Sequence, residues 1–428
     1  MSAVRRLSER LSLRALLKKL GPGVITGAAD DDPSGIATYS QAGARAGFTL
    51  MWTVVVTWPL MVAVQSVSAR IGRVTGRGLA GNMVLVFPRG LVTTLVLLLF
   101  VANTINLGAD LAAMGAAARL MLGGGSTHLF TIAFAVGSLL AVVFVPYHRY
   151  VGLLKWFTFS LLAYVGVVFS VKIDWQAVAT GILVPRFDLS GESLTLIVAV
   201  FGTTISPYLF FWQSAQEVEE VDQDKLQPLL AAPDEAEEAI SRIRLDTVAG
   251  MLASNLIALA IMIATAATLH KNGITNIETS ADAAQALKPI AGSFAFALFA
   301  LGIIGTGLLA IPVLAGSAGY AIAEALGWKT GLDNMPWQAR GFYAVIGAAV
   351  LLGLGIGFAD INPIEALYWS AVLNGLIAVP MMVALMLVAC NRKKMGAFCV
   401  GAGLRWLGWL TTAVMGAAAI TMLYVTFR

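Results

Sequence analysis

The sequence predicts an all-α protein that crosses a membrane many times and is built from two corresponding halves. Of its 428 residues, 58% are hydrophobic and only 12% are charged, about half the charged fraction of a soluble domain. Long apolar stretches follow one another along the chain, and two of them, five stretches apart, are interrupted near their middle by proline, glycine and polar residues. These observations indicate a polytopic membrane protein with two broken helices.

Eleven apolar stretches approach or exceed the twenty or so residues that a membrane span needs. They cover residues 22–46, 48–69, 91–119, 127–146, 150–171, 192–214, 246–268, 291–325, 340–358, 364–390 and 403–426. Residues 1–20 carry six Lys and Arg residues between apolar positions, and no small-residue cleavage site precedes the first span. We therefore expect a cytoplasmic basic arm and not a removable signal peptide.

Basic residues are concentrated in alternate connections between the spans. The connections that hold most of them carry Arg70, Arg73, Arg77, Arg89, Arg149, Arg242, Arg244, Lys329, Arg392, Lys393 and Lys394. Because basic residues favour the cytoplasmic ends of spans, we predict a cell-membrane protein with a cytoplasmic N-terminus and, since eleven is odd, an external C-terminus. Cys390 and Cys399 lie on the predicted cytoplasmic side, so no disulfide framework is expected.

The spans divide into two groups of five with one left over. The first repeat is predicted over residues 21–171 and the second over residues 192–390, with an external loop at 172–191. Within the second repeat, the Asp- and Glu-rich stretch 216–245 is expected to be a solvated cytoplasmic loop. Residues 391–428 form the eleventh span and a tail. Five is odd, so the two repeats would have opposite orientations in the membrane.

The first interruption places three aspartates and a helix breaker inside the first span. It reads Ala28-Ala29-Asp30-Asp31-Asp32-Pro33-Ser34-Gly35. A carboxylate near the bilayer centre costs at least about 2.5 kcal/mol, so it normally faces a cavity, a partner or an ion. Pro33 lacks an N–H group, which frees nearby carbonyls from their helical partners, and a cation would satisfy both groups. The alternative is an aqueous turn with solvated acids, but residues 21–29 alone are too short to span a membrane.

The second interruption lies in the sixth span. It reads Phe201-Gly202-Thr203-Thr204-Ile205-Ser206-Pro207-Tyr208. Taken alone, it is also typical of a proline-kinked helix whose hydroxyls cap freed carbonyls. Broken helices at corresponding positions of two halves, however, are typical of inverted-repeat transporters with a binding site at the membrane midplane.

Several motifs together resemble the natural-resistance-associated macrophage protein (Nramp) family of divalent metal transporters. They are Gly21-Pro22-Gly23, Asp32-Pro33-Ser34-Gly35, Gln41-Ala42-Gly43, Ala109-Asp110-Leu111-Ala112-Ala113 and the segment from Gly202 to Ala215. The resemblance covers nearly the whole chain. It implies the LeuT-like fold, with two inverted five-helix repeats, an eleventh helix and broken helices 1 and 6.

The chain also departs from the family pattern at its metal ligands. Asp32 keeps the family's aspartate, but Gly35 stands where the family has asparagine, and Ser206 stands where it has methionine. Sulfur favours transition metals, whereas oxygen ligands suit hard cations, and Mg²⁺ usually keeps several of its waters. We therefore expect a roomy oxygen site for Mg²⁺ made by Asp32, Gly35, Thr203 and Ser206, resembling the family's magnesium-transporting branch.

Other polar residues receive supporting roles by the same resemblance. Asp30 and Asp31 are expected to attract cations in an outer vestibule. Asp110 matches a position linked to proton transfer, although an acid bonded into helix packing is an equal alternative. Tyr208 and Gln213 replace two family histidines, and Ala113 replaces a glutamate, which removes groups that would carry a proton. Asn374 is expected either near the site or in a bond between helices.

The function that these expectations favour is import of a hard divalent cation by alternating access, without proton coupling. Mg²⁺ is preferred and Mn²⁺ is also allowed, as substrate and not as cofactor. The alternatives are a proton-coupled Mn²⁺ or Fe²⁺ importer, and an amino-acid or organic-solute symporter of the same fold. The sequence shows no phosphate loop, no HExxH motif and no paired nucleophile and base, so an enzyme is not expected. The expected partners are the cation and the bilayer, not nucleic acid; the oligomeric state stays open, a monomer included.

Overall fold

The computed structural model describes residues 21–145, 159–186, 188–359 and 361–428. Every regular element in these ranges is helical. The α-helices are α1 (Pro22–Asp30), α2 (Pro33–Ala46), α3 (Met51–Thr75), α4 (Leu79–Val84), α5 (Arg89–Leu122), α6 (Thr127–Phe144), α7 (Leu162–Ser170), α8 (Trp175–Leu183), α9 (Gly191–Thr204), α10 (Pro207–Gln223), α11 (Ala236–Thr268), α12 (Ser280–Ala284), α13 (Lys288–Ala291), α14 (Ala295–Leu326), α15 (Arg340–Gly357), α16 (Pro363–Ala389), α17 (Arg392–Met395) and α18 (Ala402–Thr426). The predicted basic arm, residues 1–20, lies outside the described residues.

Nine helical segments in the described ranges are long and apolar enough to cross a membrane. They are Met51–Thr75, Arg89–Leu122, Thr127–Phe144, Gly191–Gln223, Pro233–Asn272, Ser280–Leu326, Arg340–Gly357, Pro363–Ala389 and Ala402–Thr426. The first predicted span is divided between α1 and α2. The fifth is described from Phe159 onward and continues, after a bend of 117°, into α8. The stretch predicted as a loop over 172–191 therefore contains a helix.

Both predicted interruptions are breaks in the helical backbone. The first separates α1 from α2 at Asp31 and Asp32, and the second separates α9 from α10 at Ile205 and Ser206. Each second half-helix starts with a proline, Pro33 or Pro207, which suits the first helical position because no N–H partner is needed there. The breaks thus follow from the proline positions that the sequence shows.

The acidic stretch 216–245 is a loop over a much shorter range than predicted. Helix α10 continues to Gln223 and α11 begins at Ala236, so most of the stretch extends two membrane-crossing helices. The physical reason is pairing of charges. Glu217 is fully buried because Arg242 reaches its carboxylate at 2.8 Å, and the same guanidinium lies 2.6 Å from the carboxylate of Glu220. A charge count along the sequence does not show these partners.

Helix α1 lies directly against α11 through glycines. A Cβ atom built on Gly27 would lie 2.3 Å from the carbonyl oxygen of Gly250, and one on Gly250 would lie 2.2 Å from that of Gly23. Such distances leave no room for any side chain. The glycines therefore let the two helix backbones touch, in the way small residues permit close packing between membrane helices.

We expect Gly250→Ala to destabilise the protein, because its methyl group would force α1 away from α11. Overpacking of this kind costs about 1–3 kcal/mol. The measurement is the apparent melting temperature of the purified protein in detergent. Gly347→Ala in α15 is the matched control, since nothing lies within 4 Å of a Cβ atom at that position. Equal melting temperatures for the two variants would contradict this account of the helix contact.

Candidate metal site

Asp32 lies at the first break, is fully buried and is the N-cap of α2. Its Oδ1 atom accepts hydrogen bonds from the hydroxyl of Ser34 and the backbone N–H of Gly35, both at 2.7 Å. Its Oδ2 atom accepts from the side-chain amide of Asn106 at 3.1 Å and from the hydroxyl of Tyr208 at 3.2 Å. Four donors from three parts of the fold therefore hold one carboxylate near the middle of the membrane.

These four bonds match the acceptor capacity of a carboxylate, which has about four lone-pair positions. Burial of a carboxylate is costly without such partners, so the arrangement stabilises Asp32 when no cation is bound. A cation that binds Asp32 directly must displace at least one donor. The two longer bonds, from Asn106 and Tyr208, are the ones that require least energy to break.

Asn106 is a site residue that the sequence analysis missed. Its amide group donates to Asp32, and its Oδ1 atom accepts from the hydroxyl of Ser370 on α16 at 2.6 Å. It lies one helical turn before Asp110 on α5. Two polar residues four positions apart in an apolar span share one helix face, so this spacing was a signal that could have identified it.

Two predicted site residues are buried without hydrogen-bond partners among the described residues. Neither carboxylate oxygen of Asp110 has one, and neither polar atom of the Asn374 amide has one. Asp110 interacts electrostatically with Asp32. Buried polar groups are nearly always paired with protein or water, so both side chains mark positions where water or an ion would fit. The alternatives for these two residues were a hydrogen bond within helix packing for Asp110 and a bond between helices for Asn374, and neither bond is present among the described residues.

Asp30 and Asp31 are both buried, and Asp31 lines a cavity of about 560 Å³ between α1, α7 and α11, so their role as vestibule residues stays a prediction. They are 0% and 5% exposed, and the hydroxyl of Ser254 on α11 donates to both, at 2.5 Å to Asp30 and 3.2 Å to Asp31. The bonds to Ser254 partly compensate for burial of these two carboxylates, and both lie next to Asp32 along the chain.

The remaining predicted ligands line the space between the two breaks. A Cβ atom on Gly35 would lie 3.3 Å from the hydroxyl oxygen of Thr203 and 3.0 Å from the carbonyl oxygen of Asp30. An asparagine at this position would project into that space, so glycine keeps it open. Ser206 uses its hydroxyl hydrogen on the carbonyls of Gly202 and Thr203, at 2.6 and 2.9 Å. Its oxygen lone pairs remain for a ligand, and the predicted capping by hydroxyls is also present.

Gln213 lies apart from Asp32. Its Oε1 atom accepts from the hydroxyl of Thr26 at 2.5 Å, and its amide donates to Glu217 at 3.3 Å. Nearby, Asp246 accepts from three backbone N–H groups at the start of α1, those of Gly21, Gly23 and Val24. These bonds tie α1 to α10 and α11. Gln213 thus holds helices together here and does not bond to the metal site.

The site combines one central carboxylate with hydroxyl and amide groups. Among residues 21–145, 159–186, 188–359 and 361–428, no set of three or more His, Cys, Asp or Glu side chains is arranged to hold a metal ion. The oxygen atoms near the breaks come from Asp32, Thr203, Ser206 and Tyr208. Oxygen donors of this kind are ones that hard cations prefer.

Comparisons with known proteins find relatives along most of the chain. The divalent metal cation transporter MntH of Deinococcus radiodurans is 26% identical over 410 residues, 94% of this chain and 88% of the relative. The MntH protein of Yersinia pestis is 30% identical over 308 residues, 70% of this chain and 71% of the relative. Their names describe transporters, in agreement with the prediction that the chain is not an enzyme.

Solved structures confirm the predicted LeuT-like fold. The Eremococcus coleocola manganese transporter superposes with a TM-score of 0.78 at 17% identity, covering 96% of this chain and 86% of the other. Mhp1, a nucleobase-cation-symport-1 family transporter, superposes with a TM-score of 0.52 at 14% identity, covering 95% of this chain and 92% of the other. The sequence profile of the natural resistance-associated macrophage protein-like family matches residues 23–425. The chain therefore belongs to the Nramp family.

Proposed function

We propose that this protein carries a hard divalent cation across the cell membrane by alternating access, with Mg²⁺ as its preferred substrate and without proton coupling. The relatives named above are divalent metal cation and manganese transporters, which supports a divalent cation as the substrate class. The observation that carries the choice of Mg²⁺ is the donor set around Asp32, where hydroxyl, amide and carboxylate groups stand and the family's methionine is replaced by Ser206.

The space at Gly35 supports a partly hydrated ion. Mg²⁺ holds its waters strongly and usually binds proteins through one or two carboxylates. Asp32 supplies one such carboxylate, and waters of the ion would bond to Thr203, Asn106 and Tyr208. Asp110 and Asn374, which lack partners among the described residues, would accept or donate to the outer waters. Mn²⁺ tolerates the same oxygen ligands, so the site admits it without preferring it.

A flux assay in proteoliposomes tests the proposal. Vesicles that contain the purified protein and an internal metal indicator are given Mg²⁺, Mn²⁺ or Ca²⁺ under the same imposed potential. We expect Mg²⁺ to enter, and millimolar Mg²⁺ to suppress Mn²⁺ entry. Micromolar Mn²⁺ uptake that is unaffected by millimolar Mg²⁺ would contradict the preference for a hard cation, and uptake of amino acids in place of metal would favour a symporter.

Ser206→Met tests the role of the missing sulfur directly. We expect this variant to raise the ratio of Mn²⁺ to Mg²⁺ uptake, roughly tenfold for each 1.4 kcal/mol of added preference, since a thioether binds softer metals better than a hydroxyl does. Ser214→Met in α10 is the control, because Ser214 is also buried but lies eight residues after Ser206, further along the helix. An unchanged uptake ratio in Ser206→Met would show that position 206 does not face the ion.

A further inference from the structure

A second feature, remote from the metal site, concerns the arginines near one end of the membrane-spanning helices. Helix α3 carries Arg70 and Arg73, and the start of α11 carries Arg242 and Arg244. One arginine of each pair turns into the protein. Arg73 lies 2.9 Å from the carboxylate of Glu235, and Arg242 pairs with two glutamates as described above.

The other member of each pair lines a pocket. Arg70 and Arg244 border a cavity of about 450 Å³ between α3, α11 and α18. Neither makes an ion pair with the described residues, and the Nε atom of Arg70 is buried without a hydrogen-bond partner there. A guanidinium nitrogen that is buried without a partner is costly, so Arg70 indicates an anionic ligand, and the exposed Arg244 adds a second positive charge at the same cavity.

The rest of the pocket wall is apolar. It is formed by Pro59, Val62, Ile243, Val248, Leu404 and Leu407, with Ser66 as a small polar residue. The exposed indole of Trp406 stands at the beginning of α18, beside this wall, and is 64% exposed. Tryptophan side chains are enriched where the bilayer core meets the headgroups, so the arginine end of the pocket lies at headgroup level.

We propose that this pocket binds an anionic phospholipid from the membrane leaflet on the same side as Arg70. The lipid phosphate would lie between Arg70 and Arg244, and part of one acyl chain would lie along the apolar wall. Arginine recognises phosphate through paired N–H donors, and basic pockets between membrane helices bind anionic headgroups. Free phosphate would satisfy the arginines but not the apolar wall. The charge and the wall together favour a lipid.

The test uses the purified full-length protein in a neutral detergent. Native mass spectrometry measures binding of phosphatidylglycerol and of phosphatidylcholine with identical acyl chains, and inorganic phosphate is titrated as a third ligand. We expect phosphatidylglycerol to bind and phosphatidylcholine to bind much more weakly. The variant Arg70→Gln/Arg244→Gln should weaken phosphatidylglycerol binding roughly thirtyfold, the combined effect expected of two arginines near a membrane surface.

Two further variants make the result specific. Arg392→Gln/Lys393→Gln removes the same charge from exposed positions in α17 and should leave binding unchanged. Ser66→Trp fills the pocket but keeps both arginines, and should also lose the lipid.

Equal binding of the two lipids, or equal losses in the two charge variants, would overturn the proposal. Binding of inorganic phosphate as tight as that of the lipid would replace it with a simple phosphate site. If the double variant does not fold, Arg244→Gln alone, at an exposed position, decides.

Discussion

Asp32→Asn is expected to reduce metal uptake to the background of empty vesicles, a loss of at least roughly a hundredfold for removal of a buried charged ligand. The substitution keeps the size of the side chain and one acceptor oxygen, which can still accept from Ser34 and Gly35, so the N-cap of α2 remains. What it removes is the negative charge that a divalent ion needs. The measurement is initial Mg²⁺ flux into proteoliposomes, with equal protein incorporation verified for each variant.

The structure changes the choice of variant at this position. Asp32→Ala would leave the donors of Ser34, Gly35, Asn106 and Tyr208 without their acceptor, and unsatisfied buried donors cost about 1–3 kcal/mol each. A loss of flux in the alanine variant would therefore mix unfolding with loss of the ligand. The asparagine variant reduces this mixing, because it retains the two bonds at Oδ1, so its melting temperature should fall less than that of the alanine variant.

Neighbouring acids provide the comparison for Asp32. Asp30→Asn and Asp31→Asn should lower the flux less, since both side chains bond to Ser254 and affect the ion through their charge. Because they are buried, salt in the medium will screen them little, so we do not expect their effects to depend on ionic strength as those of vestibule residues would. Near-normal flux in Asp32→Asn, or a larger loss in Asp30→Asn than in Asp32→Asn, would indicate that the metal binds at another position.

The sequence could predict the fold because its main signals are local. Apolar length, Pro33, Pro207 and the small residues around them determine where helices run and where they break, and the structure agrees at both breaks. Helix extents were less predictable where charges pair over long sequence distances. Glu217 and Arg242 are 25 residues apart, and without knowledge of that contact the segment that holds them was interpreted as a solvated loop.

The site could be predicted only in part for the same reason. The cost of charge within a span pointed to the three aspartates at the first break, and the resemblance to the Nramp family singled out Asp32 among them. The burial of Asp30 and Asp31 depends on Ser254, which is more than 220 residues away along the chain. The role of Asn106 depends on contacts with α2 and α16. The spacing of Asn106 and Asp110 indicates a polar face of α5, but the partners of that face arise from the packing of helices and do not show in the sequence of one helix.

The second large effect expected is accumulation of Mg²⁺ driven by membrane potential alone, without movement of protons. The hydrogen bonds that leave Asp32 end after one or two steps at backbone carbonyls: Tyr208 donates to the carbonyl of Ala29, and Ser370, beyond Asn106, donates to that of Leu367. Asp110 has no hydrogen-bond partner among the described residues. These hydrogen bonds connect Asp32 to no other acid and to no histidine among the described residues. Ala113 and Gln213 stand where the family has an acid and a histidine.

The energetics allow transport without a coupling ion. A divalent cation gains about 2 × 2.3 kcal/mol for each 100 mV that it crosses, which corresponds to roughly a 10³-fold accumulation ratio. Proteoliposomes with a Mg²⁺ indicator, and a parallel set with a pH indicator, are given a negative-inside potential with a potassium ionophore. We expect Mg²⁺ to accumulate while internal pH stays constant. Asp32→Asn vesicles should accumulate no Mg²⁺, and their internal pH should also stay constant.

If Mg²⁺ entry acidified the interior, or an inward proton gradient alone concentrated Mg²⁺, a proton carrier would be required. The variant Asp110→Asn would then test whether Asp110 is that carrier. Neither carboxylate oxygen of Asp110 has a hydrogen-bond partner among the described residues, and loss of the acidification in this variant would identify Asp110 as the carrier.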